Sequence, residues 1–358
     1  MTILFGIMIH DIKDPARFNS YLSVIKEEGF DDLLVFTPHH VHLQKKQING
    51  YMFMDGMWQQ VVSPFPAISL DLGYYEEKSL FQKMKAVKYH PALPFVGYGL
   101  GNKWSIQQQL TSSAVLAPSL PPTQMLQHMD TVWSMLQKHT SVMIKPLNGK
   151  GGKGIFRLSQ GENAYMLEQD EQILHLTQEE LIHFLKERMK EQKYLVQKWI
   201  DIRDKHGSVY DIRALVQKNG EGKWQLSGLG VRRGPSRYKI TSNLTNGGTA
   251  HPAFPFLKKQ FGREKADFIL HYMRKLALFI PQYLEKVTNR RLVELGLDIA
   301  VDRNGRVWIL EVNIKPGRSL WRKIDNQEAI DRSIRAPVQY AWYLLKKKKV
   351  QQCSFSKG

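Results

Sequence analysis

Short apolar segments alternate with amphipathic stretches along the whole chain of 358 residues. In the first hundred residues the apolar stretches predict strands, and the stretches with helical spacing predict helices. The dipeptide Asp55-Gly56 lies between two apolar runs and predicts a hairpin turn. The predicted elements here are strands at 3–9 and 33–36, helices at 15–28 and 76–88, the hairpin, and a boundary rich in proline and glycine at 90–102.

The remaining residues continue the mixture of strands and helices. We expect Thr123 to cap a helix that runs to about Lys138. The other predicted elements are strands at 141–146, 155–159, 194–200, 208–218 and 223–233, helices at 177–190, 263–286 and 326–345, and a strand pair within 292–314. Because strands and helices are mixed throughout, the pattern predicts an α/β or α+β protein.

The composition says more about the partners of the protein than about its fold. The chain has 51 Lys and Arg against 33 Asp and Glu, and the excess lies after residue 100. This surplus favours anionic partners such as nucleotide phosphates, nucleic acid, acidic polymers or a membrane surface. The single cysteine, Cys353, excludes internal disulfides and cysteine-rich zinc sites, and no apolar run approaches a membrane span. The basic run Lys346–Lys349 either contacts polyanions or forms a solvated helix end.

A glycine-rich loop, Gly149-Lys150-Gly151-Gly152-Lys153-Gly154, follows the strand that ends near Lys145. The next residues predict a strand, whereas a dinucleotide-binding turn opens a helix. The phosphate-loop pattern also fails, because Ile155 follows the last glycine, and the kinase motifs HRD and DFG are absent from the sequence. The loop therefore predicts backbone contacts to phosphate with Lys145 as a nearby charge. The alternative is a flexible hairpin loop with solvated lysines.

The last strand pair predicts a metal site. Asn304-Gly305 indicates a two-residue type I′ turn, which sets Asp298 opposite Glu311 with Asn313 on the same face. The opposite face, directed to the core, carries Leu295, Leu297, Ile299 and Val301 against Trp308, Leu310 and Val312. Two facing carboxylates repel, and a bound Mg²⁺ would remove the conflict. The alternative is a solvated acidic face screened by basic neighbours such as Lys315 and Arg318.

These features together resemble the ATP-grasp superfamily and, more closely, the YheC/YheD family of endospore coat-associated proteins. The matching segments are Asn102-Lys103-Trp104, Leu120–Thr123, Tyr210–Arg213, Val231–Arg233, Asn243-Leu244 with Gly247-Gly248, and Glu311–Gly317. The resemblance implies an ATP-grasp fold in which two α+β subdomains grip ATP. It implies an N-terminal domain over 1–98, an ATP-grasp domain over 99–345 divided near residue 200, and a basic tail over 346–358.

The resemblance also implies roles for individual residues. Lys103 and Lys145 would contact the phosphates of ATP, and the loop glycines 149, 151, 152 and 154 (Gly149, Gly151, Gly152, Gly154) would close over them. Gln197 stands where the family has an adenine-contacting glutamate. The backbone of Lys198 and Ile200 would form the hinge, and Asp201 would contact the ribose. The implied metal ligands for one or two Mg²⁺ are Asp298, Glu311 and Asn313. The implied catalytic residues are Arg232, Arg213 and Lys145. The alternative for either arginine is a structural ion pair with Asp211 or another acid.

The function implied by the resemblance is an Mg·ATP-dependent carboxylate–amine ligase that acts through an acylphosphate. The alternative is a nucleotide-binding but non-catalytic assembly protein of the spore coat. We expect a cytoplasmic or spore coat-associated protein whose partners are ATP, an unidentified acid and amine of anionic character, and spore-coat proteins or acidic polymers. Nucleic acid is not expected, because the sequence contains no motif of a nucleic-acid-binding fold.

Overall fold

A computed structural model describes residues 2–148, 153–169, 172–235, 240, 242, 244 and 247–355, with side chains as far as 348. These residues form three sheets with helices packed on their faces. The first sheet, in the order β3-β4-β2-β1-β6 with β5 paired to β4, is built by the first seventy residues. Its elements and the following helix are β1 (Leu4–Met8), a 3₁₀ turn (Pro15–Phe18), α1 (Asn19–Glu27), β2 (Asp32–Phe36), a 3₁₀ turn (Pro38–His40), β3 (Val41–His42), β4 (Gln47–Met54), β5 (Met57–Pro64), β6 (Ile68–Asp71) and α2 (Lys78–Lys88).

The second sheet has the order β11-β10-β9-β8-β12-β7. The elements of this part of the chain are α3 (Lys103–Thr111), a 3₁₀ turn (Ala117–Ser119), β7 (Thr123–Leu126), α4 (Met129–His139), β8 (Ser141–Pro146), β9 (Phe156–Gln160), β10 (Tyr165–Gln169), β11 (Gln172–Leu176), α5 (Gln178–Glu191) and β12 (Tyr194–Lys198). Of these, α3 does not pack on this sheet but shares a core with α7 (Arg263–Thr288), which is described below. The predicted helix start at Thr123 is wrong, because Thr123 pairs with Gln197 across an edge of this sheet and α4 begins only after His128. Strand pairing outweighs the local capping pattern here.

The third sheet has the order β15-β14-β13-β16-β17. Its elements and the remaining helices are β13 (Tyr210–Lys218), β14 (Trp224–Arg233), β15 (Thr249–Pro252), α6 (Ala253–Phe261), α7 (Arg263–Thr288), β16 (Glu294–Val301), β17 (Val307–Asn313), α8 (Ser319–Lys323) and α9 (Gln327–Phe355). The apolar stripe of α7, including Ile269 and Met273, packs in one core with Leu295 and Leu297 of β16. This packing covers one face of the sheet. The other face is covered in part by Leu320 and Trp321 of α8, and the rest of it faces a cavity.

The last helix returns to the first sheet. Val338 and Ala341 of α9 are buried in one core with Phe5 and Phe30, and Trp342 lies edge-on to Phe30 at 5.0 Å. The segment predicted as a separate tail from residue 346 therefore begins inside α9, and the proposed domain limits stay a prediction. Across the described part of the chain, no helix has the length and apolarity needed to cross a membrane.

The β16–β17 hairpin confirms the pairing of Asp298 with Glu311 but not the route to it. The turn is not of type I′: Asp302 N donates to Arg306 O at 3.0 Å, which leaves three residues in the loop, and Gly305 has a φ of +85°. The Asp302 carboxylate accepts from the backbone of Asn304 and Arg306, and these bonds favour the longer turn.

A second irregularity restores the predicted register. Ile299 pairs with Ile309, but Asp298 pairs with Glu311, so Leu310 is an extra residue on β17. As a result, Ile309 takes the place in the core that was predicted for Leu310. Leu310 and Trp308 instead pack with Ile202 and Val209 on the other face of the sheet. The predicted core positions of Trp308 and Leu310 are therefore wrong.

Candidate functional site

A cavity of about 550 Å³ lies between the second and third sheets. Residues 74–76, which follow β6 of the first sheet, line one side of it. One part of its wall is apolar, with Met143, Ile200, Ile202, Val209 and Leu310. The charged side chains that line it are Glu76, Lys103, Lys145, Lys153, Lys198, Asp211, Arg213, Arg232, Asp298, Glu311 and Lys315. A flat apolar group and a highly charged group therefore fit in the same space.

Lys145 reaches the cavity from the end of β8. Its ammonium donates to Gln197 Oε1 at 3.1 Å, and the Gln197 amide donates to Thr123 Oγ1 at 2.8 Å. Burial lowers the pKa of Lys145 to about 8, although the carboxylates of Glu311 and Asp298 act in the opposite direction. A bound anion would restore the stability of the charged form.

Three of the four loop glycines predicted to cover the phosphates, Gly149, Gly151 and Gly152, lie outside the described residues. The fourth, Gly154, has a φ of +72°, a backbone conformation that favours glycine. Its neighbours Lys153 and Ile155 both line the cavity. The described end of the loop therefore leads directly to the cavity wall.

The predicted metal ligands meet on one face of the third sheet. Asp298, Glu311 and Asn313 all line the cavity, and Asn313 Nδ2 donates to Asp298 Oδ2 at 3.2 Å. Lys103, at the start of α3, lies 3.1 Å from Glu311 Oε1. The two regions that were expected to contact phosphate and metal therefore face the same space.

Two arginines on neighbouring strands hold Asp298. Arg213 Nε donates to Asp298 Oδ1 at 2.5 Å, and Arg232 Nη2 lies 3.0 Å from Asp298 Oδ2. Arg232 also grips Asp211 with two bonds of 2.7 and 2.6 Å. Burial would raise the pKa of Asp298, but the two guanidinium groups outweigh it and lower the pKa to about 2. Both arginines thus form ion pairs and line the cavity at once.

The hinge residues are divided between the cavity and the surface. Lys198 and Ile200 line the cavity, and the Lys198 backbone N–H donates to Pro122 O at 2.8 Å. Asp201 does not line the cavity, because its carboxylate points to Arg303 at 2.9 Å on the outside. The structure therefore does not bring Asp201 to the site that was predicted for the ribose.

Comparison with known proteins identifies this arrangement. A family model described as YheC/D-like ATP-grasp matches residues 92–344, which is more than half of the chain. The chain belongs to the YheC/D-like ATP-grasp family. It is 27% identical over 326 residues to the endospore coat-associated protein YheC of Bacillus subtilis, covering 88% of this chain and 89% of that protein. It is 25% identical over 346 residues to YheD of the same organism, covering 94% and 75%.

Solved structures agree on the fold. D-cycloserine synthetase matches with a TM-score of 0.57 at 11% identity, covering 96% of this chain and 99% of that one. D-alanine–D-alanine ligase from Bacillus anthracis matches with a TM-score of 0.54 at 12% identity, covering 99% and 100%. The predicted ATP-grasp fold and the predicted YheC/YheD family are therefore confirmed.

The donor set of this ATP-grasp chain suits a hard divalent cation. Two carboxylates and an amide oxygen come from paired strands, and these are the ligands that Mg²⁺ prefers. Among the described residues, no group of three His, Cys, Asp or Glu lies close enough together to hold a metal. The third donor from the protein would have to be Asn313. The set fits Mg²⁺ held jointly with phosphate oxygens, and does not fit a cage built from protein side chains alone.

The sequence pattern did not predict that residues 74–76, which follow the first sheet, line the cavity. Lys315, after β17, donates to Asp71 Oδ1 at 2.8 Å and to Gly73 O, and Asp71 also pairs with Lys88 at 2.6 Å. Tyr74 OH donates to the Lys315 carbonyl. These contacts fix residues 74–76 against the loop that follows β17. Lys315 and its partners in the first part of the chain lie about 240 positions apart in the sequence, so no local pattern predicts these contacts.

Proposed function

We propose that this protein is an Mg·ATP-dependent carboxylate–amine ligase that acts through an acylphosphate. The observation that carries the proposal is the meeting of Lys145 with the set Asp298, Glu311 and Asn313 in one cavity. Lys145 and Lys103 would bind phosphate oxygens. The three oxygen-bearing side chains would hold Mg²⁺, which when bound neutralises charge on the phosphates.

The proposed reaction has two steps. A carboxylate oxygen of the acid attacks the γ-phosphorus, and the bond between that phosphorus and the β,γ-bridging oxygen breaks, releasing ADP. The amine nitrogen then attacks the acyl carbon, inorganic phosphate leaves, and the nitrogen loses a proton. The guanidinium of Arg232, beside Asp298, would stabilise charge on the transferred phosphoryl group. The glycine-rich loop would keep water away from the acylphosphate.

The two curated relatives are named endospore coat-associated proteins. We propose the same association for this chain, after synthesis in the cytoplasm. ATP would occupy the cavity with its base against Ile202, Val209 and Leu310. The acid would lie beyond the γ-phosphate, towards residues 74–76.

Trapping with hydroxylamine tests the ligase without knowledge of the natural amine. The protein is incubated with Mg·ATP, hydroxylamine and a panel of mono- and dicarboxylic acids, and hydroxamate and ADP are measured together. We expect stoichiometric hydroxamate and ADP for the accepted acids. Lys145→Met should abolish both products, whereas Lys138→Met, which removes an exposed lysine of α4, should not. Tight nucleotide binding with no ADP or hydroxamate across the panel would overturn the ligase.

Two observations favour a non-catalytic alternative. Asp298 is already neutralised by Arg213 and Arg232, and the hinge position carries Gln197 in place of an acidic residue. In this alternative the protein binds nucleotide and serves in assembly of the spore coat through proteins or acidic polymers. It predicts nucleotide binding without turnover, and retention on coat material that survives Asp298→Asn.

A further inference from the structure

A second cavity of about 550 Å³ lies away from the ATP-grasp site and shares none of its lining residues. It is bounded by the end of β13, the segment before β6, residue Pro94 and one face of α9. Its ionisable basic side chains are Lys218, Arg291, Lys347 and Lys348, and no acidic residue among the described ones lines it. This cavity contains part of the lysine run that the proposed ligase does not use.

The floor of this second cavity is built from fixed groups. Lys218 is held by Glu285 at 2.8 Å and by the hydroxyl of Tyr340 at 3.3 Å, and the ring of Tyr340 lies 5.0 Å from its ammonium. Arg291 donates to the carbonyls of Phe95 and Val96. Both basic groups of the floor therefore have defined positions before any ligand enters, although the Glu285 carboxylate already offsets the charge of Lys218.

The rim is formed by the last turns of α9. Tyr340, Tyr343, Leu344 and Lys347 recur at helical spacing and line the same cavity, so they lie on one face of the helix. Lys347 and Lys348 are exposed. Lys346 lies instead over the ring of Trp342. Of the three lysines of the run whose side chains are described, Lys347 and Lys348 therefore border the cavity and Lys346 does not.

We propose that this cavity binds an extended acidic peptide or an equivalent polycarboxylate chain. From Tyr340 to Lys348 the helix rises about 12 Å at 1.5 Å per residue. An extended peptide of about four residues covers that length. A single dicarboxylate covers only part of that length. The apolar parts of Tyr343 and Leu344 would contact the methylene groups between the charges.

Anisotropy with a fluorescent tetraglutamate tests this site on the full chain. We expect saturable binding that Lys347→Glu/Lys348→Glu weakens at least about fivefold. The matched control is Lys258→Glu/Lys259→Glu, which makes the same change of net charge at exposed positions of α6 and should leave the dissociation constant within twofold of the wild-type value. If the first variant misfolds, Lys347→Gln/Lys348→Gln should still weaken binding at least about twofold.

Three results would overturn the proposal: no saturable binding, equal weakening by the control variant, or a preference for tripolyphosphate over tetraglutamate in competition. Glutamate alone should compete at least about tenfold less well per carboxylate, because one residue covers only part of the length from Tyr340 to Lys348. Saturating ATP and Mg²⁺ should leave tetraglutamate affinity unchanged. The site is therefore testable whether or not the protein is a ligase.

Discussion

The two sheets that face each other across the ATP-grasp cavity hold their charges in opposite ways. On the third sheet, Asp211 and Asp298 are matched by Arg213 and Arg232 at 2.5–3.0 Å. On the second sheet, the ammonium of Lys145 donates to the neutral amide of Gln197. One wall is neutralised by its own side chains, and the other carries a partly buried cation.

This difference in charge between the two walls indicates how a nucleotide would be oriented in the cavity. Burial without a matched anion disfavours the charged lysine, which is why its pKa falls to about 8 while that of Asp298 falls to about 2. A phosphate next to Lys145 would remove that cost. A cation next to Asp298 would meet a carboxylate that is already ionised. The cavity therefore offers a triphosphate an ammonium on one wall, and on the other wall a carboxylate whose charge two arginines already offset.

Removing the charge of Asp298, on the third-sheet side of the cavity, should have the largest effect on turnover. Asp298→Asn leaves Arg213 without its counter-charge, although Arg232 keeps Asp211. We expect ADP-forming turnover to fall at least about 100-fold and the free energy of unfolding to fall by about 3 kcal/mol. A coupled ADP assay and urea unfolding measure the two effects. Asp267→Asn, an exposed change on α7, is the control, and wild-type turnover in Asp298→Asn would contradict the proposed role.

A smaller loss is expected from Asp211, which is buried and contacts Arg232 and the hydroxyl of Ser242. If Asp211 acts by orienting the Arg232 guanidinium, Asp211→Asn should lower turnover about tenfold, and Arg232→Met should lower it further. The double variant should then match Arg232→Met alone. Losses that multiply in the double variant would show that Asp211 acts independently of Arg232. Turnover is measured at saturating Mg·ATP for all three variants.

The sequence was informative where chemistry is local. Lys145 precedes its glycine loop by four residues, and Asp298 and Glu311 belong to one hairpin, so pattern alone placed them. The register of that hairpin was nevertheless reached through two irregularities that cancel, a longer turn and the extra residue Leu310. The same cancellation turned Leu310 towards the cavity, which alternation of apolar residues could not predict.

The remaining parts of the site depend on contacts between distant segments. Residues 74–76 reach the cavity because Lys315 and Tyr74 join the first sheet to the loop after β17. Asp201 has the expected spacing from the hinge but turns to Arg303 of the last hairpin. Each outcome is decided by how separate sheets pack, and a single sequence carries no direct record of that packing.

The second-sheet side of the cavity, which carries Lys145 and is called the lysine wall below, should make nucleotide affinity depend on pH. With a pKa of about 8, roughly half of Lys145 is neutral at pH 8 in the free protein, and a bound phosphate raises the pKa. We expect nucleotide binding at pH 8 to take up about half a proton, and affinity to fall by up to about tenfold per pH unit above that value. Calorimetry in buffers of different ionisation enthalpy measures the uptake. Lys145→Met should abolish it, and buffer-independent heats in the wild-type protein would contradict the assignment.

The smallest expected effect comes from a variant that gives Lys145 a carboxylate partner, so that the lysine wall is neutralised as the third-sheet wall is. Gln197→Glu places a carboxylate on the ammonium of Lys145, which restores an ordinary lysine pKa and should reduce the proton uptake at pH 8 to near zero. Affinity for nucleotide should fall by only about threefold, because the triphosphate then competes with an existing ion pair. Gln124→Glu adds the same charge at an exposed position of β7 and should change neither quantity. An undiminished uptake in Gln197→Glu would mean that another group takes up the proton. The contrast between a paired and an unpaired wall would then no longer explain how the cavity selects a phosphate.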